Sequence, residues 1–339
     1  MGSVSGKNTG SSNSNSACSY TRRAQKAGSW YESNPRALHQ SLDKYLANAA
    51  QNMQANKANA LLRAVIVPHA GYSYSGPTAA YSYHALKQAL ASSQPPIEHI
   101  LVLHPAHHVY LKGCAVSGAS VLETPLGSLQ VDDELRREIL DLSSDVTVMD
   151  ASTDEDEHSG ELQYPYLAKL LLHDNKKKLS NDSIRVLPIM CGALSSSQEA
   201  TFGALLSDII ARPNVVCVIS SDFCHWGSRF RFQPTPNGSN ISMPIHDYIQ
   251  QMDHQGMDLI ALQQPGAFAD YLKRTSNTIC GRHAISVWLR AIEAIREKEG
   301  GHTDLTVEFV KYAQSSAVTS MNDSSVSYAS AVVTAPQGT

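Results

Sequence analysis

Residues 64–76 read AVIVPHAGYSYSG, and this stretch decides the fold. Its four aliphatic residues form a short, largely β-branched run, and His69 falls just behind them. Gly71 and Gly76 let the backbone bend, after which a helical pattern is expected over 77–91. A strand that passes through a polar turn into a helix is the opening of a β-α-β unit. Outward from it, further strands are expected at 99–103, 184–189 and 215–220. Helices are expected over 35–50, 132–142, 161–173, 197–211 and 280–296. Near the C-terminus, TVEFVKYAQSS and SSVSYASAVVT alternate with period two around a turn-like TSMND, so an antiparallel hairpin should complete the sheet. The expected fold class is α/β: a single domain with a central mixed, mostly parallel sheet flanked by helices.

In an open α/β sheet the ligand crevice lies outside the carboxyl ends of the strands. Three of the expected strands end in chemically loaded turns. The first carries His69, and ILVLHPAHHV (100–109) carries His104, His107 and His108. The third, VVCVISSDFCHWG (215–227), carries Asp222, Cys224 and His225. One histidine near a strand end is ordinarily a hydrogen-bonded structural residue. Histidines at all three ends suit a transition metal, because neutral imidazole is a good ligand for Zn, Fe and Cu. A fourth turn, TDEDEHSGE (153–161), is acidic, and carboxylates ahead of a helix are explained by its dipole alone.

The segment TICGRH (278–283) opens a long amphipathic run in which Ala284, Val287, Trp288, Ala291, Ile292 and Ile295 recur at helical spacing. Cys280 falls on the same stripe, so its thiol should face inward. In a first helical turn it would sit at the positive end of the helix dipole with Arg282 nearby, which favours the thiolate. His283, three residues on, can share that face. Burial alone would account for an inert cysteine, but beside the histidine turns a ligand is the better reading. A thiol hydrolase, with Cys280 as nucleophile and His283 or His225 as base, is a further alternative.

The 339 residues are 42% hydrophobic, enough for a large core and a buried site. A formal charge of -4 and a pI near 6.4 argue against nucleic acid or an acidic membrane as partner. The one basic run, 176–178, reads as a solvated loop. Six scattered cysteines without paired spacings fit reduced thiols and a cytoplasmic setting, with the nucleus also open. No apolar run approaches the roughly 18 to 20 residues of a membrane span. Residues 1–20, rich in Ser, Gly and Asn, should be a disordered tail, 21–335 the domain, and 336–339 a flexible end.

The motifs, in their order, resemble those of the Memo family, whose fold is similar to that of class III extradiol dioxygenases. The resemblance runs through KAGSWY (26–31), PHAGYSYSG, PAHHVYL, TPLGSL (124–129), TDEDEHS, SSDFCHWGSRFRF (220–232), NTICGRH, YAQSS and DSSVSYA (323–329). It implies a metal held by His69, His107 and Cys280, with Asp222 and His225 lining the same cleft. In the related dioxygenases the histidine equivalent to His225 is the acid/base. His104 stands where the family usually has glycine, which would place an extra imidazole near the rim. Cys280 stands where the dioxygenases have a carboxylate ligand, and a thiolate favours Cu(I), with Zn possible, and alters the electronics of Fe(II). The resemblance therefore implies copper or iron redox chemistry rather than ring cleavage, linked to signalling, the cytoskeleton and cell motility or invasive growth. It equally implies an alternative, a non-enzymatic adaptor that binds a signalling protein or phosphopeptide in the cleft. Trp30, Tyr72, Tyr74, Trp226, Arg229 and Arg231 would supply its recognition surface. Oligomeric state is left open.

Overall fold

The computed structural model describes residues 19–53, 60–174, 184–236, 243–301 and 304–336. Most of the expected N-terminal tail, the basic run at 176–178 and residues 337–339 lie outside them.

Four parallel strands make the centre of a nine-stranded sheet, in the spatial order Ala60–Val67, Val215–Ser220, His99–Pro105 and Arg185–Cys191. All four are nearly continuous β-branched and aliphatic runs, the pattern of strands covered on both faces. The flanks are mixed. Ser325–Pro336 pairs antiparallel with Ala60–Val67 and with Thr306–Gln314, which is the expected hairpin, and it also carries the short strand His225–Trp226. On the other side Cys114–Val116 runs antiparallel to Arg185–Cys191 and parallel to Val146–Val148. The sheet is thus mixed, with its parallel part at the centre.

The helix Tyr72–Ser92 carries the chain from Ala60–Val67 across to His99–Pro105. The helix Ser196–Ile210 carries it back from Arg185–Cys191 to Val215–Ser220. The two crossovers run in opposite directions, so the right-handed rule puts their helices on opposite faces. Pro35–Asn52, capped by the Asn34 side chain, packs on the first; Arg282–Lys298 packs on the second. At that second contact a Cβ on Gly203 would lie 2.4 Å from Cβ of Arg290, so only glycine permits the approach. No described helix is long and apolar enough to cross a membrane.

Several boundaries differ from the sequence reading. The helix expected from Pro77 begins at Tyr72 and contains the proline. Packing decides this: Tyr72 is buried with its hydroxyl donating to Leu162 O at 2.6 Å, and Gly76 lies against the Tyr45 ring. The helix expected over 161–173 is three pieces, His158–Glu161, Tyr164–Ala168 and a π turn at Lys169–Asp174. Pro165 has no N–H with which to continue the first piece, and it starts the second instead. The strand Tyr20–Arg22 pairs with Ala119–Leu122 in a separate small sheet.

Arg22 on that strand is buried, and its guanidinium is fully engaged. Nε meets Asp154 Oδ1 at 3.0 Å and Nη1 meets Glu161 Oε2 at 2.7 Å. Nη2 donates to the carbonyls of Asp154 and Glu157 at 2.8 and 2.7 Å. Tyr31 and the backbone of Lys26 complete Glu161. Arg22 thereby fixes the whole acidic turn. Arg22→Ala leaves two buried carboxylates without their cation and should cost about 3–5 kcal/mol, read as a lowered urea midpoint.

Candidate metal centre

Because Ala60–Val67, Val215–Ser220 and His99–Pro105 are parallel neighbours, their carboxyl ends open onto one crevice. His69, Asp222 with His225, and His107 follow those ends in turn. The loop before Arg282–Lys298 brings in Cys280 from the helical layer. One donor atom each from His69, His107 and Cys280 lies within 4.8 Å of the other two. Cys280 Sγ lies 3.1 Å from His69 Nε2.

The supporting hydrogen bonds determine which ring nitrogens carry protons. Ser220 Oγ has a single proton, and it is donated to the Ser159 carbonyl at 2.8 Å. The same oxygen accepts from Gln163 Nε2 at 2.9 Å, while Gln163 Oε1 accepts from Tyr83. The 2.7 Å contact between Ser220 Oγ and His69 Nδ1 therefore has the imidazole as donor, and the lone pair of His69 sits on Nε2, toward Cys280. For His107, Nδ1 faces Glu157 Oε1 at 2.8 Å, and its backbone N–H donates to Glu157 Oε2 at 2.6 Å. The carboxylate fixes the Nδ1–H, so Nε2 again faces the cluster. A carboxylate or hydroxyl behind the distal nitrogen is the usual support of a metal-bound imidazole.

The charges agree with this arrangement. Burial pushes His69 well below the ordinary imidazole value, helped by the neighbouring His107 and His158, so it is neutral at pH 7. Burial opposes charge on His107, but the contacts with Cys280 and Glu157 outweigh it and push His107 up to about 10. Glu157 is buried, yet the hydrogen bond and charge of His107 hold its carboxyl well below the usual range. Burial pushes Asp222 up to about 7, against the hydrogen bond it accepts from the His69 backbone at 2.8 Å. The Asp222 N–H in turn donates to Cys280 Sγ at 3.3 Å, so this residue braces two of the three donors. His225 sets Nδ1 against the carbonyls of Phe223 and Thr278 at 2.9 and 3.1 Å, which places its proton there and leaves Nε2 as the basic atom.

Four sequence expectations are corrected. Cys280 is not in a helical turn: the helix begins at Arg282, with Gly281 as its cap. Burial consequently raises the thiol, offset in part by the His107 hydrogen bond, instead of the dipole favouring a thiolate. His283 turns away and pairs with Glu199 at 2.8 Å, so it cannot serve Cys280 as a base. His104 is not at the rim; it is buried in the strand, with Nδ1 3.0 Å from Ser159 Oγ. Tyr72 and Trp226 are core residues, which leaves Trp30, Tyr74, Arg229 and Arg231 of the expected recognition surface.

The acidic turn is more than a helix terminus. Asp154 and Glu161 hold Arg22, Glu155 holds Arg23, and Glu157 holds His107. His158 stacks on His107 with ring centroids 4.4 Å apart and lies equally close to Trp30, closing one side of the cluster. His107, Glu157 and His158 also bring donor atoms within 4.8 Å of one another. His107 Nδ1 and Glu157 already share a proton there, so this group supports the first one. No local spacing could reveal Ser220 or Gln163: Ser220 is 151 positions from the His69 it supports, and both roles depend on tertiary contact.

A sequence profile described as Memo-like protein matches residues 22–332. The chain belongs to the Memo-like family. Among its Memo-like relatives, Protein memo-1 homolog of Caenorhabditis elegans is 42% identical over 314 residues, covering 93% of this chain and 83% of the relative. Protein MEMO1 of Homo sapiens is 38% identical over 313 residues, covering 92% and 97%. An uncharacterized Escherichia coli K12 protein of solved structure covers 78% of this chain and 98% of its own at a TM-score of 0.46 and 13% identity, too distant to support an argument.

Gly281 is what lets the Cys280 loop of this Memo-like chain reach the strand end. A Cβ there would lie 2.4 Å from both Ser220 O and Ser221 Cβ. Gly281→Ala should force the loop outward at a cost of about 1–3 kcal/mol, measured as a lower urea midpoint than that of the unmodified chain.

Proposed function

We propose that the protein is an intracellular metal-binding protein, cytoplasmic and also nuclear, whose His69, His107 and Cys280 hold Cu(I) or Fe(II), with Zn also accommodated. One observation carries the reading: the Nε2 atoms of two imidazoles and a thiol converge, and the Nδ1 proton of each ring is pinned from behind by Ser220 and Glu157. Two nitrogens and a sulfur suit a soft or borderline cation, and three protein ligands leave a coordination position open. Bound copper or iron would supply one-electron chemistry. The protein's own residues then have distinct tasks. Asp222 orients His69 and Cys280 through its carboxylate and N–H, and His225 offers Nε2 for proton transfer beside them. To hold a cation, Cys280 and His107 would have to give up their protons, so metal binding should release protons. Ring cleavage is not proposed, because the third donor is sulfur. In the cell this redox activity would feed into signalling, the cytoskeleton and motility or invasive growth.

A second reading, the adaptor for a phosphopeptide or signalling protein, is favoured by the exposure of Trp30 and Tyr74, at 36% and 63%. Metal titration followed by elemental analysis separates the two. Cys280→Ala should weaken Cu(I) and Fe(II) binding severely, and Glu157→Gln and Ser220→Ala should each weaken it about 10- to 100-fold. Unchanged affinity in Cys280→Ala would sink the metal reading, and phosphopeptide binding undiminished by chelator would then support the adaptor.

A further inference from the structure

We propose that Cys114 and Cys191 form a reversible cross-strand disulfide when the protein meets hydrogen peroxide. The two residues face each other where Cys114–Val116 pairs antiparallel with Arg185–Cys191. Two backbone hydrogen bonds fix the phase of this pairing. Gly192 donates to Gly113 O at 2.9 Å and Ser117 donates to Pro188 O at 3.0 Å, so the hydrogen-bonded pairs fall at 113/192, 115/190 and 117/188. Cys114 and Cys191 therefore occupy a non-hydrogen-bonded position, where opposed Cα atoms stand about 4.5 Å apart and side chains are closest. That separation lies within the range that a disulfide spans. Closing the bond asks the two Cβ atoms to approach by about 1 Å.

Both thiols point into the main core, both are buried, and both are free. Cys217 and Cys224, the other described core cysteines, have no cysteine opposite them in the sheet: Cys217 is in register with Ala64 and Leu101, and Cys224 lies outside the strands. Cys114 sits on a strand of three residues whose outer neighbour, Val146–Val148, is equally short. So short a pair opens locally at low cost, which gives a small oxidant access. In the reaction one thiolate sulfur attacks the peroxide, breaking the O–O bond to give a sulfenic acid and water. The second sulfur then displaces the sulfenic oxygen as a second water. Two thiols lose two electrons and two protons, and one peroxide becomes two waters.

The link would bear on the His107 turn. Cys191 is in register with Pro105, two residues before His107, and the chain leaves that turn through Leu111 O, which accepts from Ala193 at 2.9 Å. A covalent tie at 114/191 anchors the far end of the same loop.

The full-length chain treated with peroxide, alkylated under denaturing conditions and mapped without reductant should yield one peptide joining Cys114 to Cys191, two hydrogens lighter than its parts. The oxidised protein should melt about 5 °C higher, and dithiothreitol should reverse both changes. Cys114→Ala and Cys191→Ala should each abolish the link and the shift, while Cys280→Ala should form the link normally, which separates this proposal from the metal site. Alkylation of both thiols after peroxide treatment, a link from either residue to another cysteine, or loss of the link in Cys280→Ala would overturn it.

Discussion

The parallel pairing of Ala60–Val67, Val215–Ser220 and His99–Pro105 constrains everything at the site. Register alone sets Val67 beside Ser220, and it sets Ile219 between Ile66 and Leu103. The three chains must therefore turn away from the sheet at nearly one level, and their turns share one crevice. Apart from Arg63 and His99, which pairs with Asp132 at 2.6 Å, the three runs carry no charged side chain, so little within the strands competes with burial on both faces. Polarity begins where the strands stop, at Ser220 and His69, with His104 buried inside the His99–Pro105 strand.

A buried cluster of imidazoles and a thiol is stable only if each polar atom has a partner. The partners come in successive shells. Ser220 and Glu157 hold the distal nitrogens of His69 and His107; Gln163 and the Ser159 N–H hold those partners in turn. Arg22 then anchors the turn that contains Glu157 and Ser159, through the Glu157 carbonyl and two carboxylates. Arg22 is thus tied to the orientation of His107, 85 positions later, through ion pairs and hydrogen bonds. The arrangement explains why a run of five carboxylates at 154–161 carries so little free charge: only Asp156 is left exposed.

Much of this was legible in the sequence, for identifiable reasons. Aliphatic runs such as VVCVIS can only be buried strands, and the polar turns behind them marked His69, His107, Asp222 and His225 in advance. The closing hairpin showed itself by its alternation. Three things were not legible. Pro77 looks like a helix start because local rules put proline in a first turn, whereas burial of Tyr72 extends the helix backwards past it. The acidic turn looked like dipole compensation because its partners, Arg22, Arg23 and His107, lie far away in the chain. Cys280 continued the apolar stripe of the following helix without belonging to it. The stripe gave the correct inward direction for the wrong reason, since the thiol faces the crevice from a loop ahead of the helix.

That difference matters for the chemistry open to Cys280. In a helical turn, its sulfur would have been held by the helix and activated by the dipole. In the loop, it is held by the Asp222 N–H, the His69 ring and the close seat of Gly281 on Ser220 and Ser221. All three contacts come from the strand ends, so the thiol moves with the imidazoles and not with the helical layer. Its proton is retained by burial and shared with nitrogen neighbours, which disfavours a free nucleophile and suits a donor that gives up its proton to a cation. With His283 committed to Glu199, no other base on the loop competes for that proton.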